Sequence, residues 1–276
     1  TLTTSSAASD VYKRQVEVLK GPGSSLYGSD AMGGVVSLRS IEPDDILEED
    51  QNSSFEILST YNSQNSSFQP SLKYAFREND LSGIFSISNG NYSELNRKTS
   101  KEYINDVDGD SNSYYAKIIK SFGNTDFDIT FENINKDSTT ISSDYYNSET
   151  SVNSSKDTRE SERTRISLGI NYESDQDKFI DKFSGTIYSN SMENKSDYFV
   201  DSPASRRSAA KTENTKVKLS QEMLGANLKF INNINSKGSE QKLTYGFDIN
   251  HNDASRLRDS YENGLLDGSY KAVSYT

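Results

Sequence analysis

Apolar residues recur at every second position in nine short stretches of this chain, and polar residues occupy the positions between them. Ile166, Leu168 and Ile170 share one phase of such a stretch. Arg165 and Ser167 share the other phase. Because successive side chains of a β-strand point to opposite faces, this period predicts strands with one apolar and one polar face. The nine stretches are 55–61, 72–76, 81–87, 114–122, 127–131, 166–172, 183–187, 217–230 and 243–249.

The connections between these stretches alternate between short and long. The short ones are 78–80, 123–126, 174–182 and 236–241. The long ones are 89–113, 135–161 and 190–214, all rich in Ser, Asn, Asp and Thr. Short periplasmic turns and long outer loops are typical of outer-membrane barrels, whereas a soluble β-sandwich has no reason for this alternation. The sequence therefore predicts an all-β fold: part of a transmembrane antiparallel β-barrel, with neighbouring strands paired in order over residues 53–260.

In such a barrel the apolar phase of each strand faces lipid and the polar phase faces the lumen. We therefore expect Ile166, Leu168 and Ile170 on the lipid-facing surface. Arg165 and Ser167 should point towards the lumen.

One strand does not keep a single phase along its length. Val217 and Leu219 are out of step with Leu224, Ala226 and the apolar positions that follow. An extra residue in one strand shifts the phase in this way, so a β-bulge near Gly225 is expected.

The composition agrees with a membrane barrel better than with an ordinary soluble domain. Hydrophobic residues make up 32% of the chain and its mean hydropathy is −0.80, yet aromatic residues reach 11%. Disordered polar chains are poor in aromatics, whereas barrels carry aromatic girdles. The chain has no cysteine, which excludes disulfides and thiolate metal sites. Its net charge of −11 argues against nucleic acid as a partner.

Both ends of the chain are expected to be foreign to the protein. Residues 5–15, SSAASDVYKRQ, resemble the translation of a transposase-library sequencing adapter. The last four residues, 273–276, resemble the reverse complement of its final part. We therefore expect residues 1–15 and 273–276 to be adapter-derived, with an internal stretch of a longer protein between them, and we expect residues 1–15 to pack poorly.

The segment 16–39 reads VEVLKGPGSSLYGSDAMGGVVSLR and predicts a strand, a glycine-rich turn region and a second strand. A phosphate-binding loop would need a Gly-Lys-Ser/Thr ending, which is missing here. The segment instead resembles the closing motif of the plug domain of TonB-dependent outer-membrane receptors. It departs from that motif at Gly23 and at Ser37. The matching residues most typical of the motif are Gly21, Pro22, Leu26, Tyr27, Gly28, Gly33 and Gly34.

This resemblance implies a domain order. Residues 16–48 would be the end of the plug and its linker, and residues 49–276 the first part of the β-barrel, with about nine of the roughly twenty-two strands of such transporters. An open half-barrel sheet with a plug remnant near its concave side is the expected shape. The location would be the outer membrane of a Gram-negative bacterium.

The resemblance also implies a function. The protein would be a transporter rather than an enzyme, and it would carry no cofactor of its own. Its partners would be TonB with the inner-membrane energy-transducing complex, the outer-membrane lipid, and an extracellular ligand that contains iron. A non-transporting adhesin or enzyme barrel is one rival class, and it has no reason to carry the plug motif. A soluble all-β binding protein is the other, and solubility of the full-length protein without detergent would favour it.

Two further phrases favour the haem branch of this family over the siderophore branch. Residues 39–47 are similar to a phrase that follows the plug motif in haem and haemoprotein receptors, with Pro43, Asp45 and Leu47 in agreement. Residues 242–248, KLTYGFD, are similar to a barrel strand of the same branch. Haem is therefore the favoured cargo, and a ferric siderophore is the alternative.

Two candidate ligand sites can be read from the residues, and neither is strong. Asp106, Asp108 and Asp110 alternate in a predicted outer loop and could hold calcium, although the loop lacks the glycine and glutamate of an EF-hand. A solvated acidic loop is the favoured explanation of these residues. His251, the only histidine, continues the outward phase of 243–249, which argues against a haem ligand in the lumen. No catalytic constellation is present.

Overall fold

The chain folds into a long antiparallel meander preceded by a separate hairpin. The computed structural model describes residues 13–20, 34–93, 104–146, 151–174, 180–202, 204, 209–236, 239–263 and 265–275. Its ten-stranded sheet has the order β12-β11-β10-β9-β8-β7-β6-β5-β4-β3, so each strand pairs with its neighbour in sequence, as predicted. Among the described residues, no helix is long and apolar enough to cross a membrane.

The strands lengthen towards the middle of the sheet. The hairpin consists of β1 (Lys13–Lys20) and β2 (Gly34–Ser40), and a short 3-10 helix, η1, covers Pro43–Asp45. The sheet strands are β3 (Ser53–Asn62), β4 (Ser67–Glu78), β5 (Leu81–Ser93), β6 (Ile104–Phe122), β7 (Thr125–Tyr146), β8 (Ser151–Glu173), β9 (Lys182–Ser202), β10 (Lys211–Ser236), β11 (Ser239–Glu262) and β12 (Leu265–Tyr275).

The hairpin agrees with the two strands predicted around the glycine-rich motif. Val18 pairs with Val36, and the ladder runs back to Lys13, so part of the presumed adapter continues β1. Residues 1–12 lie outside the described part of the chain, and the expected poor packing of residues 1–15 stays a prediction. Of the motif residues, Gly34 begins β2, whereas residues 21–33 lie outside the described part of the chain.

The sheet contains one strand more than the sequence period predicted. β12 pairs with β11 from Asp253 to Glu262, and its apolar residues are too sparse to show alternation. The predicted bulge near Gly225 is wrong. β10 pairs in unbroken register with both neighbours, so Val217 and Leu219 simply point to the face opposite Leu224. The phase changes because the apolar residues move from one face of the strand to the other, and no extra residue is inserted.

The predicted long loops are wrong for most of their length. β6 begins at Ile104, β7 extends to Tyr146 and β8 starts at Ser151, so strands fill most of 89–113 and 135–161. β9 and β10 likewise fill most of 190–214. The hydrophobic period reports only that one face is buried or in lipid, so it disappears where both faces meet water, even though the hydrogen-bonded ladder continues.

The two faces of the sheet differ as predicted. Ile166 and Leu168 are 47% and 56% exposed, whereas Ser167 between them is 8% exposed. The face that exposes Leu168 is called the outer face below. Along one register row it carries Ile129, Leu168, Ile187, Ala226 and Ile249. An exposed apolar surface that crosses strand after strand is what a lipid-facing barrel wall requires.

Aromatic side chains form a row on the outer face at the short-turn end of the sheet. Tyr172, Phe183, Phe230 and Tyr245 follow one another in register across β8 to β11. The rings of Phe183 and Phe230 are 5.0 Å apart, and those of Phe230 and Tyr245 are 5.1 Å apart, measured between centroids. Barrels place such girdles at the membrane–water interface, so this row marks one edge of the apolar band.

A charge in the middle of the outer face should destabilise the folded barrel. We expect Leu168→Arg to cost about 2–4 kcal/mol of folding free energy in a bilayer, because lipid cannot solvate the guanidinium. The matched control is Asn171→Arg, three residues along the same strand on the opposite face, where Asn171 is exposed. Urea titration of the full receptor in liposomes measures both. Equal costs for the two variants would contradict the assignment of faces.

The ten strands should not close into a barrel. β3 and β12 are the two edges of the described sheet and do not pair with each other. Lipid cannot satisfy the free N–H and C=O groups of such edges, and in water they invite aggregation. We expect residues 16–272, refolded in detergent micelles, to give aggregates without heat-modifiable migration on a gel. A monodisperse, heat-modifiable species that inserts into liposomes would show that the expectation is wrong.

Candidate functional site

The segment after the hairpin lies against the face of the sheet opposite the apolar rows, here called the inner face. Ile41, Pro43 and Leu47 of this segment are buried. Ile41 and Leu47 share a small core with four sheet residues, Ala75, Ile84, Tyr115 and Ile134. Pro43 at the first position of η1 fits the helix start, and Asp45 accepts a hydrogen bond from the backbone N–H of Glu42 at 2.9 Å. These contacts hold residues 41–47, called the linker below, in a compact conformation against the sheet.

Polar contacts fasten the linker to strands β4 and β6. Tyr115 donates its hydroxyl hydrogen bond to the carbonyl oxygen of Ile41 over 3.0 Å in a buried position. Lys117 Nζ lies 2.7 Å from Glu42 Oε1. Arg77 forms an ion pair with Asp44. The linker supplies acidic side chains and the sheet supplies basic ones, so electrostatic attraction adds to the apolar contact.

A further ion pair joins the hairpin to the linker. Arg39 at the end of β2 lies 2.7 Å from Asp45 Oδ1 and 3.6 Å from Glu42 Oε2. The hydrogen bond with Asp45 raises the pKa of the Arg39 guanidinium further above its ordinary value. Asp45 thus accepts hydrogen bonds from both Arg39 and the backbone N–H of Glu42. These two bonds fix the direction of the chain at the junction between hairpin and linker.

A second polar cluster lies on the inner face across β7 to β10. Arg163 Nε donates to Asn190 Oδ1 at 3.0 Å, and Arg163 Nη1 lies 3.6 Å from Glu132 Oε1. The guanidinium carbon of Arg165 lies 5.1 Å from the centre of the Tyr188 ring, which is a cation–π distance. A depression of about 470 Å³ opens beside them. It is lined by Arg163, Arg165, Thr186, Tyr188, Asn190, Met223, Asn227 and Asp248.

The position of the Tyr188 ring depends on Gly225. A Cβ added at Gly225 would lie 2.4 Å from Cζ of Tyr188, so the ring occupies the space that a side chain would fill. The Tyr188 hydroxyl is 3.8 Å from the sulfur of Met223. The ring therefore lies along the wall of the sheet, where its face is available to Arg165.

Beyond the apolar rows, the outer face carries a network of charges. Glu193 on β9 accepts hydrogen bonds from Lys218 at 2.8 Å and from Lys195 at 3.0 Å. These bonds, the one from Lys218 first, lower the pKa of the Glu193 carboxyl. All three side chains are solvated, so this network suits the part of a strand that extends into water and contributes little stability.

The acidic candidates lie in a strand, not in a loop. Asp106, Asp108 and Asp110 are at alternate positions of β6, all exposed, and pair across to Ile141, Thr139 and Asp137 of β7. A strand rises about 6.6 Å over two residues, which spreads the carboxylates along one line instead of around an ion. Within the described ranges, no three His, Cys, Asp or Glu side chains are grouped to hold a metal.

His251 lies on the outer face, in the phase of Ile249, as the sequence predicted. Its side chain is exposed, and Nε2 lies 3.4 Å from Asp253 Oδ1. Sequence reasoning did not single out Tyr188, Lys117 or Tyr115 as contact residues. Their inner-face phase was readable, but which of them meets the linker or another side chain depends on register between strands distant in sequence.

No family model matches the chain. A hemin receptor of Yersinia pestis is 34% identical over 74 residues, which cover 27% of this chain and 11% of that receptor. A hemin receptor of Yersinia enterocolitica is 35% identical over 74 residues, with the same coverage. The matched region is thus about a tenth of the length of these relatives.

Solved structures share the whole architecture at low sequence identity. The ferric yersiniabactin uptake receptor FyuA from Yersinia pestis has a TM-score of 0.63 at 10% identity, and the match covers 96% of this chain and 48% of that one. The FrpB iron transporter from Neisseria meningitidis (F3-3 variant) has a TM-score of 0.56 at 13% identity, covering 96% and 50%. The chain spans about half the length of these proteins.

The predicted fold is therefore confirmed. The chain has the fold of about half of the FyuA receptor and of the FrpB transporter, an antiparallel sheet that is not closed, and this fold agrees with the expected outer-membrane location. The match to the hemin receptors agrees with the resemblance that segment 16–39 carries.

Removing the hydroxyl of Tyr115 should loosen the linker. Tyr115→Phe leaves the buried carbonyl of Ile41 without its partner, which should cost about 1–3 kcal/mol. The control is Tyr114→Phe, because Tyr114 is 43% exposed and Tyr115 only 2%. Hydrogen exchange of residues 41–47 in the full receptor is the measurement. Equal exchange in the two variants would contradict a role for this bond.

Proposed function

We propose that this chain is part of an outer-membrane receptor that imports an iron-containing ligand with energy supplied through TonB. One observation carries the proposal. The linker that follows the motif of residues 16–39 is packed on the inner face of a sheet whose outer face is apolar. A barrel wall that holds the end of a plug on its lumen side is the arrangement that a gated transporter requires, because the plug must block the lumen until it is moved.

The contacts of the linker suit a junction between a movable plug and a fixed wall. Lys117 and Arg77 of the sheet hold Glu42 and Asp44, and Arg39 holds Asp45. These ion pairs are partly exposed, so each contributes modestly, of the order of 1 kcal/mol or less. The buried core and the Tyr115 hydrogen bond add to these pairs, so we infer that the linker stays attached to the wall while the hairpin before it is pulled.

Haem is the proposed cargo. The two curated relatives are hemin receptors, and the phrases at 39–47 and 242–248 resemble the haem branch. A ferric siderophore is the alternative, supported by the likeness of fold to the FyuA receptor. A non-transporting adhesin barrel would leave the packed linker without a role. We propose a receptor for haem or a haemoprotein, not an enzyme, with no nucleic acid among its partners.

The complete receptor tests this function by growth. A Gram-negative strain that lacks its own haem and siderophore receptors is starved of iron and given hemin as sole iron source, with and without TonB. We expect growth only when both the receptor and TonB are present. Growth on a ferric siderophore but not on hemin would show that the cargo is the alternative one, a ferric siderophore. Growth that does not depend on TonB would contradict the proposed energy source.

A further inference from the structure

We propose that Arg165, with Arg163 and Tyr188, forms a carboxylate-binding station on the inner wall that receives a propionate of haem during its passage through the barrel. The inference rests on the proposed function and adds to it a contact for the cargo. Three observations support it: an uncompensated guanidinium, a neighbouring arginine held in place, and an open depression beside both.

Arg165 carries a positive charge that the surrounding structure does not neutralise. Its Nε is buried and has no hydrogen-bond partner among the described residues. No acidic side chain of the described part of the chain forms an ion pair with it, and the stacked Tyr188 ring offers only its face. A buried donor without a partner costs free energy, so an anion that accepts from this guanidinium is favoured.

Arg163 is positioned differently. It lies two residues before Arg165 on the same face of β8, at a Cα distance of about 6.6 Å. Glu132, which is 8% exposed, approaches one of its terminal nitrogens, and Asn190 accepts from Nε. Glu132 therefore compensates Arg163 and fixes its direction, so Arg165 is the one of the two guanidinium groups that has no ion pair within the described residues.

The depression beside the arginines has a basic end and an acidic end. Asp248 at the far end accepts hydrogen bonds from Asn227 at 3.1 Å and from Asn250 at 3.4 Å, so both of its carboxylate oxygens already have amide donors. An anion would be drawn to the arginine end. A carboxylate matches the planar guanidinium with two parallel hydrogen bonds, which ammonium groups cannot form.

The station shares a register row with the residue that holds the linker. Tyr115, Glu132, Arg165 and Asn190 form one register row across β6 to β9, and Tyr115 is the residue that holds Ile41. A ligand would therefore meet Arg165 inside the barrel, below the charged strand extensions, and after passing the outer surface. Haem carries two propionates, and each can accept a pair of parallel hydrogen bonds from a guanidinium.

Uptake of two probes by the complete receptor tests the station. The probes are hemin and hemin dimethyl ester. The esterified propionates of the second probe carry no charge, so they cannot accept a charge-assisted pair of hydrogen bonds. The variants are Arg165→Gln and the matched control Arg159→Gln. Arg159 lies on the same strand and the same face, but it is solvent-exposed and already paired with Asp157 at 2.7 Å. Rates are normalised to heat-modifiable receptor in the outer membrane.

We expect Arg165→Gln to lower hemin uptake roughly tenfold relative to Arg159→Gln, because a hydrogen-bonded charge pair is lost. Uptake of the ester should change by less than about twofold, or be equally absent in all variants. Arg165→Lys covers the case in which Arg165→Gln does not assemble. It keeps the charge without the paired geometry and should show an intermediate loss of hemin uptake.

Three results would overturn the inference. Equal hemin uptake by the Arg165→Gln and Arg159→Gln receptors would show that Arg165 does not contact the cargo. An equal loss for hemin and its ester would show a structural role only. If the wild-type receptor takes up no hemin at all, the proposed cargo is wrong and the station falls with it, whereas failure of the variants alone leaves the cargo standing.

Discussion

The backbone ladder of the sheet is the constraint on which the rest of this structure depends. Lipid offers no hydrogen bonds, so every N–H and C=O within the bilayer must be paired between strands. The registers between β8, β9, β10 and β11 run without a break and meet that requirement wherever two neighbours overlap. Within the described sheet, β3, β12 and the part of β11 that β12 does not reach, Ser239 to Asn252, leave one side of the ladder free. The side chains then determine which face meets lipid, and this is the face with the apolar row through Leu168.

The inner face is free of the need for apolar contact with lipid, so it can carry polar chemistry. It uses this freedom in two places that share one register row. Tyr115 and Lys117 hold the linker, and Arg165 stands beside an open depression two strands away. Since both places belong to the same rigid ladder, the attachment of the linker and the cargo contact proposed here are held in fixed relation to one another.

The strands continue well past the apolar rows, and this changes how their charges should be understood. Glu193, Lys195 and Lys218 bond to each other in water on β9 and β10. Such a network keeps a long edge-to-edge ladder soluble above the membrane, where no lipid covers it, and adds little to stability. The acidic row of Asp106, Asp108 and Asp110 has the same explanation, because it too lies on a strand in solvent.

The sequence by itself determined the all-β class, the strand phases within the membrane and the face that Ile166 and Leu168 expose, because lipid imposes a two-residue period on one side of each strand. It also carries the glycine-rich segment 16–39, whose resemblance to a plug motif stays a prediction. It could not show how far strands extend beyond lipid, since polar residues on both faces erase the period. Only the tertiary structure decided that Tyr115 meets Ile41 and that Arg165 stacks on Tyr188 without an acidic partner. Those contacts depend on the register between strands and on the space left at Gly225, which no local pattern records.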